Sequence, residues 1–277
     1  MLNNQTITFL GAGSMAEAII GGLVRQKIVK PSQIIATNLC DHERLQFLKR
    51  AYGIKINANR QQAVETGDIV ILAMKPKSVK EALEDMRGHT NEKQLFISVL
   101  AGISTAYIEE LLMHRAAVIR TMPNTSAKVG ASATGISSGQ YATESQLLLA
   151  STLFESIGTV TPVPEEKLDA VTGLAGSGPA YFYYIIEAME VAARKAGLTE
   201  YEAKALITQT VVGVGKRLQT TTKSAQELYL EVMSPNGTTE AGLRLLEDRD
   251  SQSAVSDAIA AAIRRSKELG KTFSETN

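Results

Sequence analysis

The feature that most constrains this chain is a glycine-containing stretch near its start, Gly11-Ala12-Gly13-Ser14-Met15-Ala16. It fits the pattern G-x-G-x-x-G/A, and it lies between a predicted strand at residues 6–10 and a predicted helix at residues 14–26. In such a turn Gly11 permits a tight bend, Gly13 lets a pyrophosphate approach the backbone, and Ala16 allows close helix–strand packing. The helix N-terminus offers unpaired N–H groups to the anion. The stretch therefore predicts a dinucleotide-binding loop, for which a ligand-free glycine turn is the alternative.

The first half of the chain alternates short apolar runs with helical patterns. The patterns predict strands at residues 33–38, 68–74, 95–100 and 117–121, and helices at residues 41–52, 76–86 and 104–113. Continuous apolar strands are typical of a parallel sheet covered by helices on both faces. We predict an α/β Rossmann-type dinucleotide-binding domain over residues 1–161.

The pattern changes after Thr161, where the stretch TPVPEEKLD combines two prolines with several charges and suits a joint between domains. Beyond it the apolar residues follow the helical period, at residues 168–196, 200–219, 225–231, 239–247 and 251–268. We predict an all-α C-terminal domain over residues 162–277.

Composition and charge argue against several classes of partner. Lys+Arg and Asp+Glu both total 29, whereas nucleic acids and anionic membranes favour a basic excess. The apolar run at residues 69–74 is far shorter than the roughly 20 residues of a membrane span, and no basic-then-apolar leader is visible. Cys40 is the single cysteine, and the histidines lack metal-ligand spacing. We expect a soluble cytoplasmic protein with no nucleic-acid, membrane or metal partner.

The ends of the predicted strands supply further candidate cofactor contacts, because ligands of such sheets bind at the carboxyl ends of the strands. One strand ends in Ala73-Met74-Lys75-Pro76, where a plain strand-to-helix turn is an equal alternative for Lys75. Another ends in Leu100-Ala101, and its small residues leave room for a nicotinamide ring.

The end of the second strand bears on the choice of cofactor. An acid there would bind the ribose 2′-hydroxyl of NAD, but the strand ends in Asn38, followed by Leu39. Nothing there repels a 2′-phosphate, and no arginine follows directly to bind one. Arg44, on the next helix, is either a candidate for that contact or an ordinary exposed helix residue. We predict NADPH as the cofactor, with NADH as the alternative.

Two clusters in the helical half depart from helical composition. In Gly176-Ser177-Gly178-Pro179-Ala180-Tyr181, glycine and proline cost about 1 and about 3 kcal/mol in a helix interior, which indicates a functional site or a kink. The second cluster, Ser234-Pro235-Asn236-Gly237-Thr238-Thr239-Glu240, predicts a turn and a helix capped by Thr238 or Thr239. Its N–H groups and hydroxyls suit a substrate carboxylate, and a well-capped helix without a ligand is the alternative.

Six ordered motifs carry a family resemblance: FLGAGSMAEAI, ILAMKP, SVLAGI, RTMPNTSAKVG, DAVTGLAGSGPAY and SPNGTTEAGL. Over about residues 6–268 the chain resembles the pyrroline-5-carboxylate reductases, which reduce the cyclic imine L-1-pyrroline-5-carboxylate to L-proline with NAD(P)H. It departs from them at four positions. Ser126 replaces a proline, Lys128 a small or apolar residue and Asn236 a glycine, while Leu39 replaces the arginine of many NADPH-using members.

The resemblance implies a set of site residues. Cofactor contacts fall at Gly11, Ala12, Gly13, Ser14, Met15, Asn38, Asn59, Ala73, Met74, Lys75, Pro76, Leu100 and Ala101. Substrate contacts fall at Glu165, Ser234, Gly237, Thr238 and Thr239, with Thr239 as the catalytic residue that hydrogen-bonds the ring nitrogen. Glu231 falls at a further family substrate position. The resemblance also implies a homodimer formed by the helical domains, which some members assemble into rings such as a decamer.

Two alternatives differ from this interpretation. A β-hydroxyacid dehydrogenase would carry G-x-x-G-x-G-x-x-x-K-x-x-x-N; Gly173, Gly176 and Gly178 match, but Phe182 and Ile186 replace the lysine and asparagine. Without that lysine its acid–base chemistry has no agent. A non-catalytic dinucleotide sensor is expected to lose the substrate turn, which is intact here.

Overall fold

The computed structural model describes residue 2 and residues 5–274. The chain forms two compact units: one comprises the residues up to Pro179 together with those from Ala261 onward, and the other is Ala180–Ala260. The predicted division at residue 161 stays a prediction. The last strand ends at Pro162, but the following turns still pack on the sheet, since a Cβ at Gly135 would lie 2.9 Å from Val171 and 3.1 Å from Leu168.

An eight-stranded sheet forms the first unit. Its strands are β1 (Ile7–Leu10), β2 (Ile34–Thr37), β3 (Lys55–Ile56), β4 (Ile69–Leu72), β5 (Leu95–Ser98), β6 (Ala117–Met122), β7 (Ser132–Ser138) and β8 (Gly158–Pro162). Their order is β3-β2-β1-β4-β5-β6-β7-β8, with parallel neighbours except for the antiparallel pair β6–β7. The first six follow the 3-2-1-4-5-6 order of the Rossmann fold, which confirms the predicted α/β domain.

The apolar strands are continuous because both faces of the sheet are buried. In β4, Ile69 and Ile71 belong to one core layer, whereas Val70 and Leu72 belong to the layer on the opposite face. Helices cover both faces. They are α1 (Ser14–Arg25), α2 (His42–Tyr52), α3 (Arg60–Thr66), α4 (Val79–Met86), α5 (Thr105–Leu112), α6 (Glu144–Glu155) and α7 (Leu168–Val171).

In the second unit every regular element is a helix, as predicted for the C-terminal half. The helices are α8 (Gly178–Lys195), α9 (Glu200–Gln219), α10 (Ala225–Val232), α11 (Thr238–Asp248) and α12 (Ser251–Ser274), with α8 beginning and α12 ending in the first unit. Capping boxes at Thr199 and Ser224 fix the starts of α9 and α10. Among residues 2 and 5–274 the structure contains no helix of the length and hydrophobicity needed to cross a membrane.

The predicted helix at residues 168–196 is wrong as a single element. After α7 the backbone makes a π-helical turn, Thr172–Gly176, and α8 starts afresh. The Ser177 N–H donates to the Thr172 carbonyl over 2.8 Å, and the Asn124 side chain donates to the Ala175 carbonyl over 3.0 Å. A Cβ at Gly176 would lie 2.9 Å from the Met122 side chain. Packing against the end of β6 therefore holds the break in place.

Candidate nucleotide cleft and substrate turn

A cleft of about 490 Å³ lies at the carboxyl ends of β1 and β4. These strands are neighbours at the point where the order of the sheet reverses, which is where open α/β sheets bind ligands. The lining residues are Leu10, Gly11, Ala12, Gly13, Ser14, Met15, Asn38, Leu39, Cys40, Arg60, Ala73, Met74, Lys75, Ser78, Glu81 and Ala82.

The two glycines of the loop have different roles. Gly11 has a φ of +112°, and a Cβ there would lie 2.6 Å from backbone atoms of both Ala73 and Met74. A Cβ at Gly13 would meet nothing within 4 Å. Gly13 is also the N-cap of α1 and provides no side-chain cap for it. Gly11 thus holds the turn after β1 against the turn after β4, and Gly13 leaves an open cradle at a helix N-terminus that fits a pyrophosphate.

Arg44 does not line the cleft. It stabilises the glycine loop, residues 11–16, from the side away from the cleft. Its Nε donates to the Ala12 carbonyl over 2.8 Å, and its Nη2 pairs with Glu17. Burial raises the pKa of Glu17, but hydrogen bonds from Arg44 and Tyr52 outweigh it and leave the pKa below its ordinary value. Both sequence-based interpretations of Arg44 miss this role.

The cleft gathers most of the predicted cofactor residues, but four of them do not belong to its lining. The Asn59 side chain caps α3 by accepting the Gln62 N–H over 3.0 Å. Pro76 opens a turn before α4, while Leu100 is buried and Ala101 is half-buried after β5. Sequence reasoning missed Arg60, Ser78 and Glu81, which do line the cleft.

Glu165, a predicted substrate residue, is anchored within the first unit. Its carboxylate accepts the Thr105 backbone N–H over 2.8 Å and the Thr105 hydroxyl over 2.6 Å. It also accepts from Arg120 Nη1 over 3.3 Å. Because Thr105 begins α5, Glu165 caps a helix that starts 60 residues earlier and stabilises its dipole.

Arg120 extends this anchor to the C-terminal helix. Its side chain is 7% exposed and lies 3.9 Å from the Asp169 carboxylate. Asp169 in turn accepts the hydroxyl of Ser266 over 2.6 Å. One turn further along α12, a Cβ at Gly270 would lie 2.8 Å from the Gly102 carbonyl oxygen. The last turns of α12 therefore pack against the loop after β5, which carries Leu100 and Ala101.

Glu109 of α5 gives a pH-dependent prediction. Burial raises the pKa of its carboxyl above the ordinary 4.5, a hydrogen bond from the Gln140 N–H opposes this, and the charge of Glu165 adds to the rise. A raised folded-state pKa favours the folded state fully below the unfolded value, and this contribution is lost as pH rises through the folded value. We expect the change in unfolding free energy for Glu109→Gln to be more favourable at pH 7 than at pH 4. Urea unfolding at both pH values measures this, and equal changes would contradict it.

The turn predicted to bind substrate, Ser234–Thr239, lies in the second unit. Asn236 adopts a φ of +57°, a left-handed conformation that asparagine and glycine tolerate best, which explains why it can replace the family's glycine. Its N–H donates to Glu240 over 2.5 Å, and the Gly237 N–H donates to the Ser234 carbonyl over 2.9 Å.

The predicted capping of α11 by Thr238 or Thr239 is wrong. The N-cap is Gly237, which has no side chain to accept a hydrogen bond, because the turn at Asn236 starts the helix at Thr238. The N–H groups of the first turn consequently have no side-chain cap, and a carboxylate suits them.

Thr239 also borders an apolar groove of about 470 Å³ within the second unit, together with Tyr229, Val232 and Leu243. Glu231, near this groove, pairs with Arg217 and Lys223, so its carboxylate is already matched by two cations. Large apolar side chains are exposed along this unit, among them Phe182, Tyr183, Tyr184, Tyr201, Leu206, Val232, Leu245 and Leu246. Apolar exposure on this scale marks an interaction surface.

A Rossmann-type sheet with an open glycine cradle, followed by an all-helical unit with exposed apolar faces, defines a dinucleotide-dependent oxidoreductase with a helical second domain. No group of three or more metal-ligating side chains occurs among the residues that the structure describes.

Known proteins narrow this class to one family. The model of the family described as NADP oxidoreductase coenzyme F420-dependent matches residues 6–102, and that of pyrroline-5-carboxylate reductase dimerisation matches residues 165–269. Pyrroline-5-carboxylate reductase 2 of Bacillus subtilis is 45% identical over 97% of this chain and 96% of its own length. The chain belongs to the pyrroline-5-carboxylate reductase family, and its helical half is a dimerisation domain.

Solved structures agree with this assignment. The pyrroline-5-carboxylate reductase of Coxiella burnetii is 35% identical, with a TM-score of 0.89 over 96% of this chain and 99% of that one. The Plasmodium falciparum pyrroline carboxylate reductase, solved with NADP bound, is 26% identical, with a TM-score of 0.88 over 97% and 99%.

Proposed function

We propose that this protein reduces L-1-pyrroline-5-carboxylate to L-proline, the final step of proline biosynthesis, with NADPH as the cofactor and NADH as the alternative. One observation carries the proposal. A single chain of this family has both an open cradle at Gly13 and, after the turn at Ser234–Gly237, a helix whose first N–H groups have no side-chain cap. The names of the relatives, and the NADP bound to the Plasmodium protein, support the same reaction and cofactor.

In this proposal the first unit holds the cofactor, which supplies the hydride when bound. The N–H groups at the start of α1 bind the pyrophosphate at Gly13, and the small backbone turn at Leu100–Ala101 leaves space for the nicotinamide. Asn59 and Pro76 are assigned to the same role through the family.

The turn of the second unit binds and orients the substrate. A protonated cyclic imine already accepts hydride readily, so the protein needs to supply neither a strong acid nor a nucleophile. The N–H groups of Thr238 and Thr239, in the first turn of α11, bind the carboxylate, and Ser234 and Gly237 form the turn beside them. The Thr239 hydroxyl orients the ring nitrogen of the bound substrate, because oriented binding lowers the entropic cost of reaction. Glu165, which caps α5 through Thr105, is assigned to substrate binding through the family.

The assembly and the location belong to the same proposal. The protein forms a homodimer in this proposal. The exposed apolar side chains of α8 support it, because they lie in a region that matches a dimerisation family. By resemblance to the family, such dimers assemble further into rings such as a decamer. A single cysteine suits a reducing compartment, the cytoplasm.

Substitution of Thr239 tests the catalytic assignment. We expect Thr239→Ala to lower kcat/KM by roughly 10- to 100-fold, since it removes a hydrogen bond to a charged group. The measurement is imine-dependent oxidation of NADPH, and separately of NADH, followed by absorbance. Thr152→Ala is the matched control, because Thr152 is a half-buried residue of α6 outside both proposed sites, and its hydroxyl donates to the Leu148 carbonyl of the same helix over 3.0 Å.

Full activity of a folded Thr239→Ala variant would remove Thr239 from the reaction. If the wild-type protein binds a dinucleotide but consumes neither cofactor with the imine, the reductase proposal fails and the sensor alternative gains.

A further inference from the structure

The end of the cleft beyond β2 carries the chemistry that separates NADPH from NADH. The 2′-phosphate of NADPH needs a cation, whereas the 2′-hydroxyl of NADH is usually bound by an acid. Asn38, Leu39 and Cys40 line the cleft at the end of β2, and all three are uncharged. The Asn38 side-chain oxygen accepts the N–H of Leu39 over 2.8 Å. The residues at the end of β2 therefore supply neither the acid nor the cation.

Arg44, the candidate nearest in sequence, is already committed. Its guanidinium binds the Ala12 carbonyl and Glu17 and lies 5.1 Å from the centre of the Phe47 ring. Moving the guanidinium into the cleft would break the ion pair with Glu17 and the hydrogen bond to the Ala12 carbonyl.

Arg60, unlike Arg44, lines the cleft. It lines the same cleft as Asn38 and Leu39, although it comes from the segment after β3. The parallel pairing of β3 with β2, together with the Asn57 N–H that donates to the Ala36 carbonyl over 3.1 Å, brings this segment to the edge of the sheet where β2 ends.

The Arg60 side chain is held in place by its neighbours. Its Nη2 donates to Asp85 over 2.9 Å, and its side chain is 19% exposed. The Gln61 side chain donates to the other oxygen of Asp85 over 3.2 Å, which fixes the carboxylate. A guanidinium has five N–H donors in a planar fork, so Arg60 keeps donors for a phosphate while Asp85 orients it.

The other cation in the lining is Lys75. It follows Ala73 and Met74, whose backbone packs against Gly11 in the pyrophosphate loop. Lys75 therefore belongs to the pyrophosphate end, and Arg60 is the cation at the end of β2. Building on the proposed function, we propose that Arg60 recognises the 2′-phosphate and sets the preference for NADPH over NADH.

Calorimetric titration with two nucleotide fragments tests this without any turnover. Adenosine 2′,5′-bisphosphate carries the 2′-phosphate and adenosine 5′-monophosphate lacks it. The wild-type protein is expected to bind the bisphosphate more tightly. In Arg60→Gln this advantage should shrink by roughly 10- to 100-fold, the value of a hydrogen bond between charged groups, with little change for the monophosphate. The variant should fold, because Asp85 is 40% exposed and stays hydrated without its partner, and ion pairs this close to the surface contribute only about 0–1 kcal/mol.

Arg50→Gln, in an exposed position of α2 outside the cleft lining, is the matched control and should leave both affinities unchanged. An unaltered ratio in Arg60→Gln, or a wild-type protein that does not distinguish the two fragments, would overturn the assignment. Either result leaves the reductase proposal intact, since that depends on imine-dependent consumption of a dinucleotide.

Discussion

Replacement of Arg120 by methionine is expected to lower the free energy of unfolding by about 3–5 kcal/mol, the range for removing one partner of a buried ion pair. The Arg120 side chain is 7% exposed and lies between two carboxylates, at 3.3 Å from Glu165 and 3.9 Å from Asp169. Methionine fills much of the volume but leaves both carboxylates without their cation. Urea unfolding at neutral pH, followed by circular dichroism, measures the loss.

Two variants show whether this loss comes from unpaired charge. Arg265→Met removes an arginine that is 66% exposed and pairs with Glu268 on the surface of α12, so we expect it to cost less than about 1 kcal/mol. Combining Arg120→Met with Glu165→Gln and Asp169→Asn removes all three charges and should recover much of the stability. A loss in Arg120→Met no larger than that in Arg265→Met would contradict the role of Arg120.

Alanine substitutions at the two loop glycines should affect stability and nucleotide affinity differently. Gly11→Ala should destabilise the fold by about 1–3 kcal/mol and abolish nucleotide binding, because its Cβ would lie 2.6 Å from backbone at a φ of +112°. Gly13→Ala has open space and a φ of −73°, so the fold should be preserved. Its methyl group would occupy the pyrophosphate cradle and weaken binding by roughly 10- to 100-fold, through lost charge-assisted hydrogen bonds.

Thermal unfolding and dinucleotide titration distinguish the two variants. If Gly13→Ala binds NADPH as tightly as the wild-type protein, the pyrophosphate does not lie in the cradle at Gly13. A Gly11→Ala variant of unchanged stability would show that the turns after β1 and β4 separate at little cost.

The strands that could be predicted from the sequence are those buried on both faces, because burial leaves a continuous apolar run. β3 was missed because it has two residues, one of them exposed. β7 was missed because its sequence, SATGISS, is small and polar. Its buried Ser132 and Thr134 hydroxyls pair with each other at 3.1 Å, so hydrogen bonding rather than hydrophobicity allows this strand to be buried.

The site shows the same division between local and long-range signals. The glycine loop was predictable because its residues are adjacent in sequence. Arg60 was missed because its position follows from β3, which leaves little trace in the sequence. The contact between Glu165 and Thr105 joins residues 60 positions apart, so no local pattern could reveal that the carboxylate caps α5.

The discontinuous first unit has a consequence for synthesis on the ribosome. All eight strands have been made once Pro162 is added, but Ser266 and Gly270, which contact Asp169 and Gly102, follow the whole of Ala180–Ala260. At roughly 5–20 residues per second, the intervening stretch takes on the order of 5–20 s to translate. The nascent first unit therefore spends that time without the last turns of α12. A chain whose synthesis stops in this interval has a complete sheet, but the surface around Asp169 and Gly102 that α12 covers stays exposed.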